Sequence, residues 1–83
     1  MERTERFYKI DRLLRDNRSV SLERFLEELS VSKATFKRDI EYMRDRLNAP
    51  ISWDRTVRGY IFDQEITDAP SYELPGIWFN QSE

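Results

Sequence analysis

The chain has 83 residues, a formal net charge of −2, and neither cysteine nor histidine. This length makes one small domain or part of a larger protein, and no run of residues is apolar enough to span a membrane or to form a signal peptide. Without thiol or imidazole groups, disulfides, zinc sites of the usual kind and Ser-His or Cys-His catalysis are excluded, so no enzyme, metal site or cofactor is expected.

The charged residues are distributed unevenly along the chain. Residues 31–62 carry seven basic and four acidic side chains, whereas residues 63–83 carry five acidic side chains and no basic one. A local basic surface can attract an anionic partner even when the whole chain is slightly acidic. The net charge therefore does not exclude nucleic acid as a partner.

Two short helices are predicted in the first 30 residues. From Arg3 to Asp16 the apolar side chains recur at helical spacing, and Asn17 is a suitable terminator. Ser21 is a suitable N-cap for a second helix, whose inward face consists of Leu22, Phe25, Leu26 and Leu29. The connecting residues 18–20 are either a short strand or a plain loop.

A third helix is predicted over residues 32–47, with Ser32 as its N-cap. Its apolar stripe consists of Phe36, Ile40, Met43 and Leu47. This stripe would pack on the first two helices, and Ala34 and Arg38 would then face outward. Only Ser30, Val31 and Ser32 separate the second and third helices, so the two are expected to cross at a large angle.

A β-hairpin is predicted after the third helix. Asn48 can adopt the left-handed conformation that closes a helix, and Pro50 prevents the helix from continuing. Ile51 alternates with polar residues, and the same pattern returns after Gly59, which we expect to permit the turn. The alternation favours a buried face over a base-stacking role for Trp53, Tyr60 and Phe62.

Three helices followed by a hairpin predict a mainly α fold with a small β-hairpin, a winged helix-turn-helix, over residues 1–62. Such a domain binds double-stranded DNA with helix 32–47 in the major groove and with wing 54–59 on the backbone or in the minor groove. The predicted DNA-binding residues are Ser32, Lys33, Ala34, Thr35, Lys37, Arg38, Arg55 and Arg58.

Each of these assignments has a simpler alternative. Arg38 can form a surface ion pair with Glu41, Ser32 can serve only as a cap, and the remaining charges can be ordinary solvated groups. Asp39 is expected to orient a neighbouring basic side chain rather than to meet DNA. At the level of function, the alternative is a winged-helix protein–protein interaction module without DNA binding.

The chain also resembles the DeoR-type winged helix found at the front of bacterial WYL-domain transcriptional regulators. The resemblance is carried by Ser32, Thr35 and Arg38-Asp39-Ile40 in the third helix, and by Pro50-Ile51 and Gly59-Tyr60 in the hairpin. It implies a cytoplasmic DNA-binding regulator that is a homodimer in its full-length form and that senses an effector through a C-terminal domain absent from these residues.

The last part of the chain, residues 63–83, is predicted to be an acidic linker followed by the start of that missing region. Five large apolar residues lie close together there, namely Tyr72, Leu74, Ile77, Trp78 and Phe79. We expect them to pack against something outside residues 1–62, either the missing C-terminal domain or a second copy of the chain, with the second copy favoured. Folding of this segment back onto the first helix is the fallback.

Overall fold

The computed structural model describes residues 2–63 and Leu74. Helix α1 spans Arg3–Asp16, α2 spans Leu22–Leu29 and α3 spans Lys33–Arg46. Strands β1 (Ile51–Asp54) and β2 (Gly59–Phe62) form an antiparallel hairpin. The predicted fold class, three helices followed by a wing, is confirmed.

Side chains satisfy free backbone groups at the starts of α2 and α3 and at the end of α1. The Oγ of Ser21 accepts the amide of Arg24 at 3.1 Å, and the Oγ of Ser32 accepts the amide of Thr35 at 3.2 Å, so both predicted caps are confirmed. At the end of α1, the side-chain amide of Asn17 donates to the carbonyl of Leu13 at 2.9 Å. These bonds fix the helix boundaries locally.

The turn between α2 and α3 contains no glycine, and Ser30 takes the left-handed conformation instead, with φ 54°. Its amide donates to the carbonyl of Leu26 at 2.9 Å, which closes α2 in the usual way. Asn48 (φ 62°) adopts the same conformation after α3, as predicted. Serine therefore serves here where glycine is more common.

The segment between α1 and α2 forms an isolated antiparallel β-bridge with the hairpin. Val20 and Tyr60 exchange two backbone hydrogen bonds of 2.9 and 2.8 Å. A Cβ on Gly59 would lie 3.1 Å from the carbonyl oxygen of Val20, so a side chain there would press on this backbone. The expectation that Gly59 permits the turn is corrected: Gly59 allows the close approach of two strands, and Arg58 takes the left-handed turn conformation, with φ 54°.

The centre of the core is a cluster of three aromatic rings from α2, α3 and β2. Phe25 and Phe36 stack with ring centroids 4.8 Å apart, and Tyr60 meets Phe36 edge-on at 5.3 Å. Of the predicted stripe of α3, Phe36, Ile40 and Met43 are buried and Leu47 is partly buried. Phe36 therefore joins the third helix to the second helix and to the hairpin.

The predicted buried face of the hairpin is correct on β2 and wrong for Trp53 on β1. Tyr60 is buried and Phe62 is partly buried, but Trp53 is 49% exposed. Trp53 pairs with Tyr60 in the strand register, and the centroids of the two rings lie 5.0 Å apart. The alternation gave the correct face, but Tyr60 on β2 packs against Phe25 and Phe36, whereas Trp53 lies on the outer strand β1 and meets the ring of Tyr60.

Leu74 is 1% exposed and belongs to the core cluster of this same domain. For this residue the expectation of packing outside residues 1–62 is wrong. The other apolar residues of that segment, namely Tyr72, Ile77, Trp78 and Phe79, lie outside the described residues. Across residues 2–63 and Leu74, no helix combines the length and apolar character that crossing a bilayer requires.

Candidate nucleic-acid interface

Helix α3 presents a cationic surface in its first two turns while its opposite side is buried. Lys33, Ala34, Lys37 and Arg38 are exposed, and Thr35 is partly exposed. The buried side consists of Phe36, Ile40 and Met43, which anchor the helix in the core. The outward phase predicted for these residues is therefore observed.

The basic residues of α3 differ from several on the first two helices in having no acidic partner. Lys9, Arg15 and Arg24 lie 3.7, 2.8 and 3.5 Å from carboxylate oxygens. Within residues 2–63, by contrast, Arg38 forms no ion pair with Glu41 or any other carboxylate, and the same holds for Lys33 and Lys37. The ion pair that was the alternative for Arg38 is thus not formed.

Ser32 and Thr35 form a small hydrogen-bonded unit at the start of α3. Ser32 accepts the Thr35 amide, and its hydroxyl lies 3.1 Å from the hydroxyl of Thr35, to which it donates. Ser32 therefore acts as a cap. The proton of the Thr35 hydroxyl remains able to donate to an anion near the positive end of the helix.

Asp39 orients a basic side chain, but the partner comes from α1 and not from its own turn. Arg6 donates from Nε to Oδ2 of Asp39 at 2.5 Å and from Nη2 to Oδ1 at 3.1 Å. This hydrogen bond is the main cause of the raised pKa of Arg6, burial acts against it, and the charge of Asp39 adds to it. The pair links α1 directly to the first turns of α3.

The sequence contained a signal for this pair that the prediction did not use. Asp39 lies three residues after Phe36 and four before Met43, so it belongs to the buried stripe. A carboxylate at such a position needs a charged partner from another element. Helical spacing could identify the position but not Arg6, which lies 33 residues away.

Arg3 is a second basic residue of α1 that lies beside α3. Its guanidinium is 3.9 Å from the ring centroid of Tyr42 and 5.4 Å from that of Phe7. The two rings stack with centroids 5.5 Å apart.

Five residues line one concave surface between α1 and α3: Arg3, Arg6, Thr35, Arg38 and Asp39. We call this surface the Arg3 cleft.

The wing carries two further exposed cations. Arg55 and Arg58 lie in the turn between β1 and β2, where Oδ1 of Asp54 accepts the Thr56 amide at 2.8 Å. Among the described residues, neither arginine has a carboxylate partner. Tyr60 on β2 packs against Phe36 on α3, so the wing and α3 are attached to the same core.

The part of the chain that the structure describes contains no group of three or more carboxylates that could hold a metal ion. A family model described as a DeoR-like helix-turn-helix domain matches residues 6–47, which run from within α1 to the residue after α3. No curated protein and no solved structure matches the chain.

Proposed function

Because this chain belongs to the DeoR-like helix-turn-helix family, we propose that it binds double-stranded DNA sequence-specifically as part of a bacterial transcriptional regulator. Helix-turn-helix domains place the second helix of the motif in the major groove. In this chain that helix is α3. The proposal extends the family assignment to specific recognition and to named residues.

The observation that best supports the proposal is that Lys33, Lys37 and Arg38 have no carboxylate partner among the described residues. They lie on the exposed side of a helix whose other side is buried. Cations that have no internal partner keep their full hydrogen-bonding capacity for phosphates and base edges. A helix anchored by Phe36 and Ile40 presents these groups without first having to order itself. Both features suit a surface that reads DNA.

A major groove about 12 Å wide admits the exposed side of a helix. We assign the base contacts to Arg38 and Lys37, because both are exposed on that side of α3. Lys33, Thr35 and the capped start of α3 would contact phosphate, and Ala34 would allow close approach to a base or a methyl group. Arg55 and Arg58 on the wing would contact the backbone or a narrow minor groove.

The wider context is also part of the proposal. The acidic residues 63–83 would lead toward a C-terminal WYL-like domain, which would receive the effector signal. The full-length regulator would be a cytoplasmic homodimer, since a two-fold dimer reads inverted half-sites. The support for this context is the resemblance of the third helix and the hairpin to regulators of that type.

One observation favours the alternative, a protein–protein interaction module. Trp53 and Val57 are 49% and 51% exposed on the wing, and exposed apolar side chains are common at protein interfaces. That alternative does not explain why Lys33, Lys37 and Arg38 are exposed without a carboxylate partner among the described residues. DNA binding therefore accounts for more of the surface.

A binding titration with duplex DNA separates the two functions. A DNA reader loses affinity steeply as salt rises, with a log–log slope of about −0.9 for each neutralised phosphate. Selection from a random duplex pool then tests sequence specificity, and enriched inverted repeats would support dimeric recognition as well. Absence of salt-dependent binding would favour the protein–protein interaction module.

A further inference from the structure

We propose that the Arg3 cleft is a binding site for one phosphodiester group of the DNA backbone, with Arg3 as the residue that contacts it. This inference rests on the proposed function, because its ligand is duplex DNA. It adds a contact from α1, outside both the third helix and the wing. The site lies on the side of α3 that faces the first turn of α1.

The charge of the cleft favours an anion. Its lining contains three guanidinium groups, those of Arg3, Arg6 and Arg38, and the single carboxylate of Asp39. Both oxygens of that carboxylate already accept hydrogen bonds from Arg6, and Asp39 is buried. The two remaining guanidiniums, of Arg3 and Arg38, have no carboxylate partner within residues 2–63.

Arg3 is held in an orientation that suits phosphate. Its guanidinium lies over the face of Tyr42 at 3.9 Å, a cation–π contact. A guanidinium that contacts a ring in this way keeps N–H groups from which a phosphate can accept two parallel hydrogen bonds. Because the ring restricts the side chain before binding, less conformational entropy is lost when the phosphate arrives.

The position of the cleft agrees with the expected docking. With α3 in the major groove, the phosphate backbones run along both of its sides. The cleft lies beside the first two turns of α3, where Thr35 and Arg38 also contribute to its lining. The nearby acidic residues Glu41 and Asp45 line a neighbouring concave surface, toward the C-terminal half of α3. Arg3 and Arg38 line both surfaces, and each surface holds three arginines. The phosphate would therefore occupy the end of the α1–α3 junction whose lining has one carboxylate, that of Asp39, already paired with Arg6.

The test compares Arg3→Ala with Arg12→Ala in titrations of a fluorescein-labelled duplex of mixed sequence. Arg12 is a matched control, because it is an exposed arginine of the same helix with no carboxylate partner among the described residues. We expect Arg3→Ala to reduce the magnitude of the salt slope by about 0.9 and the affinity at about 0.1 M salt roughly 5- to 10-fold. Arg12→Ala should leave both values unchanged.

A slope for Arg3→Ala that equals that of the parent would overturn the proposal. If Arg3→Ala fails to fold, as judged by circular dichroism, Arg3→Gln repeats the comparison with a neutral side chain that can still cover Tyr42. If the parent binds duplex DNA and Arg38→Ala weakens that binding while the Arg3 variants do not, only the cleft is wrong. If the parent binds no duplex, the proposed function falls and the cleft proposal falls with it.

Discussion

Arg6 and Asp39 form a two-point ion pair that ties the first helix to the third, with Asp39 4% exposed. An isolated carboxylate at such a depth would be costly, so the pair constrains how the two helices can pack. Because Arg38 directly precedes Asp39, the pair also fixes the part of α3 that we assign to DNA recognition. The packing of two helices and the presentation of a recognition surface thus depend on one contact.

We predict that Asp39→Asn lowers the free energy of unfolding by about 3 kcal/mol, because it leaves the Arg6 guanidinium largely buried without its charged partner. Thermal or urea denaturation measures this change. Asp45→Asn is the control, since Asp45 is an exposed carboxylate of the same helix and should change stability by less than about 0.5 kcal/mol. Equal effects of the two substitutions would mean that the Arg6–Asp39 pair contributes no more than a surface charge.

Phe36→Ala should lower the free energy of unfolding by about 3 to 5 kcal/mol, because it opens a cavity where three elements meet. Trp53→Ala removes an even larger side chain but should cost about 1 kcal/mol or less, since Trp53 is half exposed. Comparable losses of unfolding free energy for the two variants would show that Trp53 is packed as well as Phe36.

These two aromatic residues show how far the sequence could be interpreted. Periodicity and the two serine caps predicted the helices nearly to the residue, because caps and apolar spacing are local properties. Alternation placed Trp53 on the correct face of its strand, but its burial depends on which of the two strands packs against the rest of the domain. That information lies in the tertiary packing.

The site followed the same division. The outward phase of Lys33, Lys37 and Arg38 could be predicted from one helix alone. The contributions of Arg3 and Arg6 could not, because their contacts on α3, Tyr42 and Asp39, are more than 30 residues away in sequence. The role of Gly59 was also non-local, since it depends on the approach of the Val20 backbone.

Leu74→Ala should destabilise the domain by about 2 to 5 kcal/mol, because Leu74 is fully buried in the core. A chain cut after Asp68 should likewise melt at a lower temperature, since each kcal/mol shifts the melting temperature of a small domain by about 4–8 °C. Val57→Ala is the control at an exposed apolar position. Melting temperatures that match the parent for both the point variant and the shortened chain would show that Leu74 is not part of the folding unit.

Replacing Arg55 and Arg58 together by alanine should weaken binding to all duplex sequences alike and flatten the salt slope by about 1 to 2 units. The reason is that both exposed arginines lie in the turn of one hairpin and lack acidic partners among the described residues. Fluorescence anisotropy at several salt concentrations measures the slope. A slope equal to that of the parent would mean that the wing does not contact phosphate.

The central claim is that α3 reads base sequence, and its most direct test uses Arg38→Ala with a duplex enriched by selection and with a scrambled duplex. The parent should bind the enriched duplex more tightly. Arg38→Ala should weaken that binding by about 1–3 kcal/mol, relax the preference at one base pair and affect the scrambled duplex less. If the parent binds both duplexes equally, or if Arg38→Ala keeps the affinity and the preference of the parent, α3 does not read DNA through this residue.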